Sequence, residues 1–158
     1  MKTTIFLSVL MLFLFSGCEK KYALDDISSF EFNYNTGSGY SGYYYNFKLA
    51  ETGLLDIQLR RAFSDSTLHS VYTVDNADIT EFKSYLVDLL NTKIKADYYI
   101  EPGQITDIPG IGISVDSNIK KLSTTISGPA ESLLPESLKR IMGAVSVLQA
   151  KYDTGVKF

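Results

Sequence analysis

The chain holds one cysteine, Cys18, and one histidine, His69, among 158 residues. Nucleophilic thiol catalysis would need both, and a zinc site would need three or four such ligands. The set is too small for a His/Cys metal site. Asp65, Asp107 and Asp116 lack the spacing of a calcium loop. A Ser-His-Asp arrangement is writable only from His69 with Ser66, Ser70 or Asp65. No Gly-x-Ser-x-Gly elbow accompanies it, and proximity along the chain is no evidence for a triad, which assembles in space. His69 therefore reads as a surface or strand-edge histidine. Asp75 and Asp78 precede a helical pattern and read as helix-capping side chains rather than an acid/base pair. The run Gly37-Ser38-Gly39-Tyr40-Ser41-Gly42 matches G-x-G-x-x-G letter for letter. Dinucleotide binding requires a helix to open there, so that its N-terminus faces the pyrophosphate. A tyrosine-rich strand pattern follows instead, so the expectation is a strand connection that binds no nucleotide. No cofactor, metal or catalytic residue is expected.

What the sequence does offer is tyrosine: 11 of them, with 9 phenylalanines and no tryptophan. In Tyr43-Tyr44-Tyr45, alternation assigns Tyr43 and Tyr45 to a buried face and turns Tyr44 outward, beside Tyr40. An exposed tyrosine presents a flat apolar face and a polar tip, which suits protein or sugar contacts. Tyr40, Tyr44, Tyr98 and Tyr99 are the candidate binding residues. The competing reading is a tyrosine-rich strand partly covered by its neighbours.

The elements that must position them follow from hydrophobic period. Phe30, Phe32 and Tyr34 alternate with Glu31 and Asn33, the pattern of a half-buried strand. A glycine-rich loop over 36–42 leads to a second strand built on Tyr43, Tyr45, Phe47 and Leu49. Glu51-Thr52-Gly53 turns the chain into a third, built on Leu55, Ile57 and Leu59. His69 to Val74 reads as a fourth. The period then changes. Ile79, Phe82, Leu86, Leu89 and Leu90 recur at three and four, one face of a helix ending near Lys93, with Asp78 and Glu81 resembling a capping box. Tyr98 to Ile100 reads as a short strand. Ile111, Ile113 and Val115 form another, which returns after Asp116-Ser117-Asn118 through Lys120, Leu122, Thr124 and Ile126. Pro135 suits the first turn of a final helix whose buried stripe runs from Leu138 to Tyr152. Strand hairpins with segregated helices predict an α+β fold: one antiparallel sheet of five to seven strands, with two helices packed on one face.

The N-terminus supplies a different kind of signal. Lys2 precedes an apolar run from Ile5 to Phe15, too short to span a bilayer, and Ser16-Gly17-Cys18 closes it. This resembles a bacterial lipoprotein signal peptide ending in a lipobox. The resemblance implies cleavage after Gly17, a diacylglyceryl group on the Cys18 thiol and acylation of the new amine. Two or more chains make such attachment stable, each buried CH₂ contributing roughly 0.8 kcal/mol. Glu19, where an Asp would signal inner-membrane retention, favours the outer membrane. Lys20 and Lys21 leave open whether the domain faces the periplasm or the cell surface. The organisation is then a signal peptide (1–17), lipidated Cys18 with a tether to residue 27, one domain over 28–152 and a tail over 153–158.

Removal of 1–17 leaves 141 residues, enough for one core without staples, and takes the net charge from −3 to −4. That acidity argues against nucleic acid as a partner. Over roughly 28–150 the order of paired strands, Asp-led helix, strand pair and final helix is similar to small bacterial domains of the emfourin type. Those inhibit thermolysin-like metalloproteases; the likeness is one of pattern and transfers no site. Together these features predict a non-catalytic, lipid-anchored envelope lipoprotein acting as a protein-binding module, inhibitor-like. The alternative is a glycan- or small-ligand-binding lipoprotein using an exposed tyrosine surface. Replacing Cys18 with Ser is expected to abolish incorporation of labelled lipid and leave the precursor uncleaved. Normal processing of that variant on a gel would refute the anchor.

Overall fold

The computed structural model describes residues 21–38, 42–61, 67–99, 110–128 and 130–153. Seven strands form one sheet: β1 (Phe30–Ser38), β2 (Tyr43–Ala50), β3 (Leu54–Arg61), β4 (Thr67–Thr73), β5 (Asp97–Tyr99), β6 (Gly110–Ser117) and β7 (Lys121–Ser127). Their order across the sheet is β4-β3-β2-β1-β6-β7-β5. Two helices complete the α+β fold, α1 (Asn76–Leu90) and α2 (Glu136–Tyr152). All pairings are antiparallel except the last. β5 runs parallel to β7, so the sheet is mixed rather than wholly antiparallel. The reason lies in α1. It leaves β4 at one edge and delivers the chain to the opposite edge, and a strand entered that way can take either direction. At 1.5 Å per residue, its 15 residues carry the chain about 22 Å across the sheet.

β1 is the middle strand of the seven, and its inward residues make the centre of the core. Phe32, Phe47 and Phe82 are buried completely or nearly so. The Phe82 ring of α1 meets Phe32 edge-on at 5.0 Å between centroids and stacks near Phe30 at 6.2 Å. Register carries the same face sideways, pairing Phe32 with Leu49 and Val115, and Phe47 with Ile57. Ile79, Leu86 and Leu89 of α1 and Leu138, Ile141, Val145 and Leu148 of α2 join that cluster. Both helices therefore cover one face of the sheet, as the segregated periods require.

Several boundaries differ from expectation. β1 continues through Thr36 and Gly37 to Ser38, because Gly37 and Ser38 pair with Tyr44 and Tyr43. Residues 36–38 of the glycine-rich run are thus strand, and β2 rather than a helix follows it. The segment expected to be a tether is docked from Tyr22 onward. The Asn91 amide donates to the Tyr22 carbonyl (2.9 Å) and accepts from its N–H (2.7 Å). Ile27 is buried, and Asn118 ties down the backbone of Asp26, Ser28 and Ser29. The turn Glu51-Thr52-Gly53 forms as read, with Gly53 at φ +83°, where a Cβ would press on the Val74 carbonyl at 3.0 Å.

The capping box is replaced by a different device. Asp75 occupies the N-cap of α1, and its side chain makes no capping bond. Asp78 instead accepts from Lys151 Nζ at 2.6 Å and from the Tyr152 hydroxyl at 2.5 Å, while the Asp75 N–H donates to that hydroxyl at 2.9 Å. The start of α1 is thereby clamped to the end of α2. Arg140 reaches Asp88 at 3.4 Å at the other end, so the helices run antiparallel. The Lys151 bond, seconded by Tyr152, holds the Asp78 carboxyl below its usual range. Its contribution to stability is therefore present above that range and lost as pH falls through it.

Replacing Phe82 with Ala is expected to cost about 3–5 kcal/mol at any pH, through the cavity it leaves. Asp78→Ala is expected to cost about 1–2 kcal/mol above roughly pH 5, with the difference from the parent vanishing as pH falls through the carboxylate range. Denaturant unfolding across pH separates the two; a pH-independent Asp78→Ala penalty would refute the clamp.

Candidate functional site

Among the described residues both helices lie on one face of the sheet and none covers the second, and strand register sorts the second face's side chains into rows. One row runs Arg60, Tyr44, Gly37, Gly110 across β3, β2, β1 and β6. One register step beyond the Ile111–Ile126 pair brings in Ser127, and β5 adds Tyr99 opposite Ser127. Two exposed tyrosines, Tyr44 at 48% and Tyr99 at 56%, thus stand in one row with glycine, glycine and serine between them. Four strand spacings separate them, about 19 Å. The adjacent row reads His69, Gln58, Asn46, Asn35, Gly112, Thr125, Asp97. Three carboxamides therefore flank the tyrosine row on its β1–β3 side.

The glycines make this surface flat. A Cβ on Gly37 would lie 2.5 Å from Cδ1 of Tyr44, so the ring leans over β1 because that position has no side chain. A Cβ on Gly112 would lie 2.5 Å from Oδ1 of Asn35, whose amide lies over β6 in the same way. At Gly110 a Cβ would meet nothing within 4 Å. The result is a hollow of about 460 Å³ bordered by Asn35, Tyr44, Asn46, Gln58 and Arg60, with Gly37 and Gly110 at its base.

Charge is concentrated elsewhere on this face. Lys48 pairs with Glu31 at 2.8 Å, Lys121 with Asp116 at 2.6 Å and His69 with Asp56 at 3.1 Å. The hydrogen bond from Lys48 holds the Glu31 carboxyl below its usual range. Arg60 makes no ion pair among the described residues, and it is the cation that borders the hollow. The hollow therefore offers neutral amides, a phenol and one guanidinium: donors and acceptors for a polar ligand of low charge.

The expected site residues fare differently. Tyr44 and Tyr99 are brought into one row. Tyr98 is buried at 4%, facing the helices beside Ile126, and its hydroxyl accepts from the Lys95 N–H at 3.2 Å. It leaves the candidate set because alternation within β5 turns it opposite to Tyr99. Tyr43, expected buried, is 41% exposed at the end of β2, with the Arg61 guanidinium 5.7 Å over its ring. Tyr40 and Cys18 lie outside the described residues, as do Asp65, Ser66 and Asp107. Ser70 and His69 are neighbours on β4, so their side chains point to opposite faces. Asn35, Asn46, Gln58 and Arg60 escaped the sequence reading. Their outward strand positions were legible, but their convergence depends on register between strands.

On the helix side, a narrower groove of about 290 Å³ runs between α1 and α2, past Tyr85, Arg140 and Val147. Among the described residues no group of three His, Cys, Asp or Glu side chains is placed to hold a metal ion, and no helix is long and apolar enough to cross a membrane. The chain matches no protein-family model and no curated protein.

Glycine substitutions test the geometry. Gly37→Ala is expected to cost about 1–3 kcal/mol, since Tyr44 and the Tyr43 carbonyl at 2.9 Å must both move. Gly110→Ala is expected to stay within about 0.5 kcal/mol of the parent. Equal thermal shifts for the two would contradict the close packing of Tyr44 over β1.

Proposed function

We propose that this protein is a lipid-anchored, non-catalytic binding protein of the cell envelope, and that the bare face of its sheet holds an extended polar chain, a glycan being the best fit. One observation carries the reading: Tyr44 and Tyr99 bracket a floor of small residues in a single row, beside a row of carboxamides. A sugar ring offers C–H faces to a phenol ring and hydroxyls to amides. An extended chain lying across the strands would meet both tyrosines in turn. The sole imidazole, His69, is engaged by Asp56 beyond the hollow.

The lipobox at Cys18 supports attachment to the outer membrane, on its periplasmic face or at the cell surface. Three residues lie between Cys18 and the docked Tyr22, so the two are at most about 14 Å apart along extended chain and an anchored domain would sit against the bilayer. The second reading is a protein-binding module, inhibitor-like as in emfourin-type domains. It is favoured by the exposed Tyr43–Arg61 pair, on the opposite face of the same strand ends from Tyr44 and Arg60, since tyrosine and arginine are frequent anchors of protein interfaces.

Affinity electrophoresis of the detergent-solubilised protein in gels containing polysaccharide tests the choice. Retardation is expected, with Tyr44→Ala and Tyr99→Ala each weakening it about tenfold, or 1.4 kcal/mol. Retardation unaffected by either substitution would remove the tyrosine row from the account. Mobility unchanged on every polysaccharide, with capture of an envelope protein lost on Tyr44→Ala, would favour the second reading.

A further inference from the structure

The two edges of the sheet are finished differently. β5 is three residues long, and a strand that short offers little to pair with. β4 is seven residues long and, among the described residues, pairs with β3 alone. Natural edge strands are usually blunted by lysine, proline or a bulge. Thr67-Leu68-His69-Ser70-Val71-Tyr72-Thr73 contains none of these residues and no carboxylate. Two of its apolar side chains stand in solvent, Leu68 at 58% and Val71 at 52%.

The backbone direction of β4 follows from one bond. The Val74 N–H donates to the Gly53 carbonyl at 2.8 Å, so it faces the β3 side. Alternation then turns the N–H and C=O groups of Thr67, His69, Val71 and Thr73 outward, away from the sheet. The side chains alternate in step. Leu68, Ser70 and Tyr72 lie on the helix side, opposite Leu59, Ile57 and Leu55, and Thr67, His69, Val71 and Thr73 lie on the bare side.

We propose that this edge is a self-association surface: β4 pairs antiparallel with β4 of a second copy of the chain, about a two-fold axis through Ser70. The sequence of the strand is close to symmetric about that residue. Pairing on it sets Thr67 against the second copy's Thr73, Leu68 against its Tyr72 and His69 against its Val71. Every outward N–H and C=O finds a partner, about eight hydrogen bonds in all. Any other centre shortens the ladder. Leu68 and Val71, the exposed apolar residues, each gain a cross-strand neighbour, and no charge faces its own copy. The occupant is a second copy because the strand complements itself; the product is a continuous sheet of fourteen strands. One strand pair buries less than the ~1,200 Å² typical of stable interfaces, so the dimer is expected to dissociate on dilution and is best captured covalently.

Ser70 sits on the axis as a non-hydrogen-bonded pair, with an expected Cα separation of about 4.5 Å, within disulfide range. The test uses the full chain carrying Ser70→Cys, made in a host that processes lipoproteins, with membranes oxidised mildly and run on a non-reducing gel. The unaltered chain sets the baseline for Cys18. Ser123→Cys, exposed on the bare face of β7, reports random collision. Ser70→Cys is expected to convert to a species of twice the mass at least about fivefold more than Ser123→Cys does. Adding Leu68→Lys, at a position already in solvent, is expected to suppress it by a similar factor. Conversion no greater than that of Ser123→Cys, indifference to Leu68→Lys, or attachment of the introduced thiol to a different protein would each overturn the second-copy assignment.

Discussion

The edge-to-face contact between Phe32 and Phe82, 5.0 Å between ring centroids, is what the rest of the molecule is arranged around. Phe32 is in the middle strand of the sheet, and Phe82 lies on the helix that carries the chain from one edge to the other. Burying both rings requires α1 to lie over β1, which spaces the two edges and leaves α2 to fill the remaining width. Aromatic pairs of this kind add roughly 0.5–1.5 kcal/mol to what burial of their area contributes. Here the pair also acts as a locator. A helix anchored at the sheet centre must end beside the far edge, and β5 is added there in parallel.

A second consequence is one-sidedness. The described residues form two α-helices, and both are used on the same face. The other face is left to solvent, and its composition reflects that: ion pairs toward one end, carboxamides in the middle, tyrosines and glycines at the other. The glycines at 37 and 112 weaken local strand propensity, yet they let the Tyr44 ring and the Asn35 amide lie down on the sheet. Where side chains usually stand upright, this face is smooth. A smooth polar surface with aromatic markers suits a ligand that lies along it, rather than one that enters a pocket.

The clamp of Asp78, Lys151 and Tyr152 shows how local and tertiary signals compete for one side chain. Asp78 stood where a helix-capping carboxylate belongs. The capping bond is worth about 1 kcal/mol, similar to a charge-assisted bond to a lysine. With Lys151 and a phenol both delivered to Asp78 by α2, the distant partners win, and Tyr152 accepts the Asp75 N–H that the cap would have satisfied. No local rule anticipates this, because the competitor lies more than seventy residues away.

Period alone was enough to locate β1 to β4, the hairpin pair β6–β7 and both α-helices, because each buries one face and writes a period of two or 3.6 into the chain. It also identified Tyr44 as outward-facing. It misjudged Tyr43, which lies at a strand end where the helices no longer cover the sheet, and Tyr98, whose three-residue strand is too short to show a period. What only the tertiary structure decided is which outward residues meet. Tyr44 and Tyr99 are 55 positions apart and share a row only because β2, β1, β6, β7 and β5 lie side by side in that order and register. A strand's own sequence specifies which face each side chain takes; pairing between strands specifies its neighbours, and those bonds run through backbone that every residue shares.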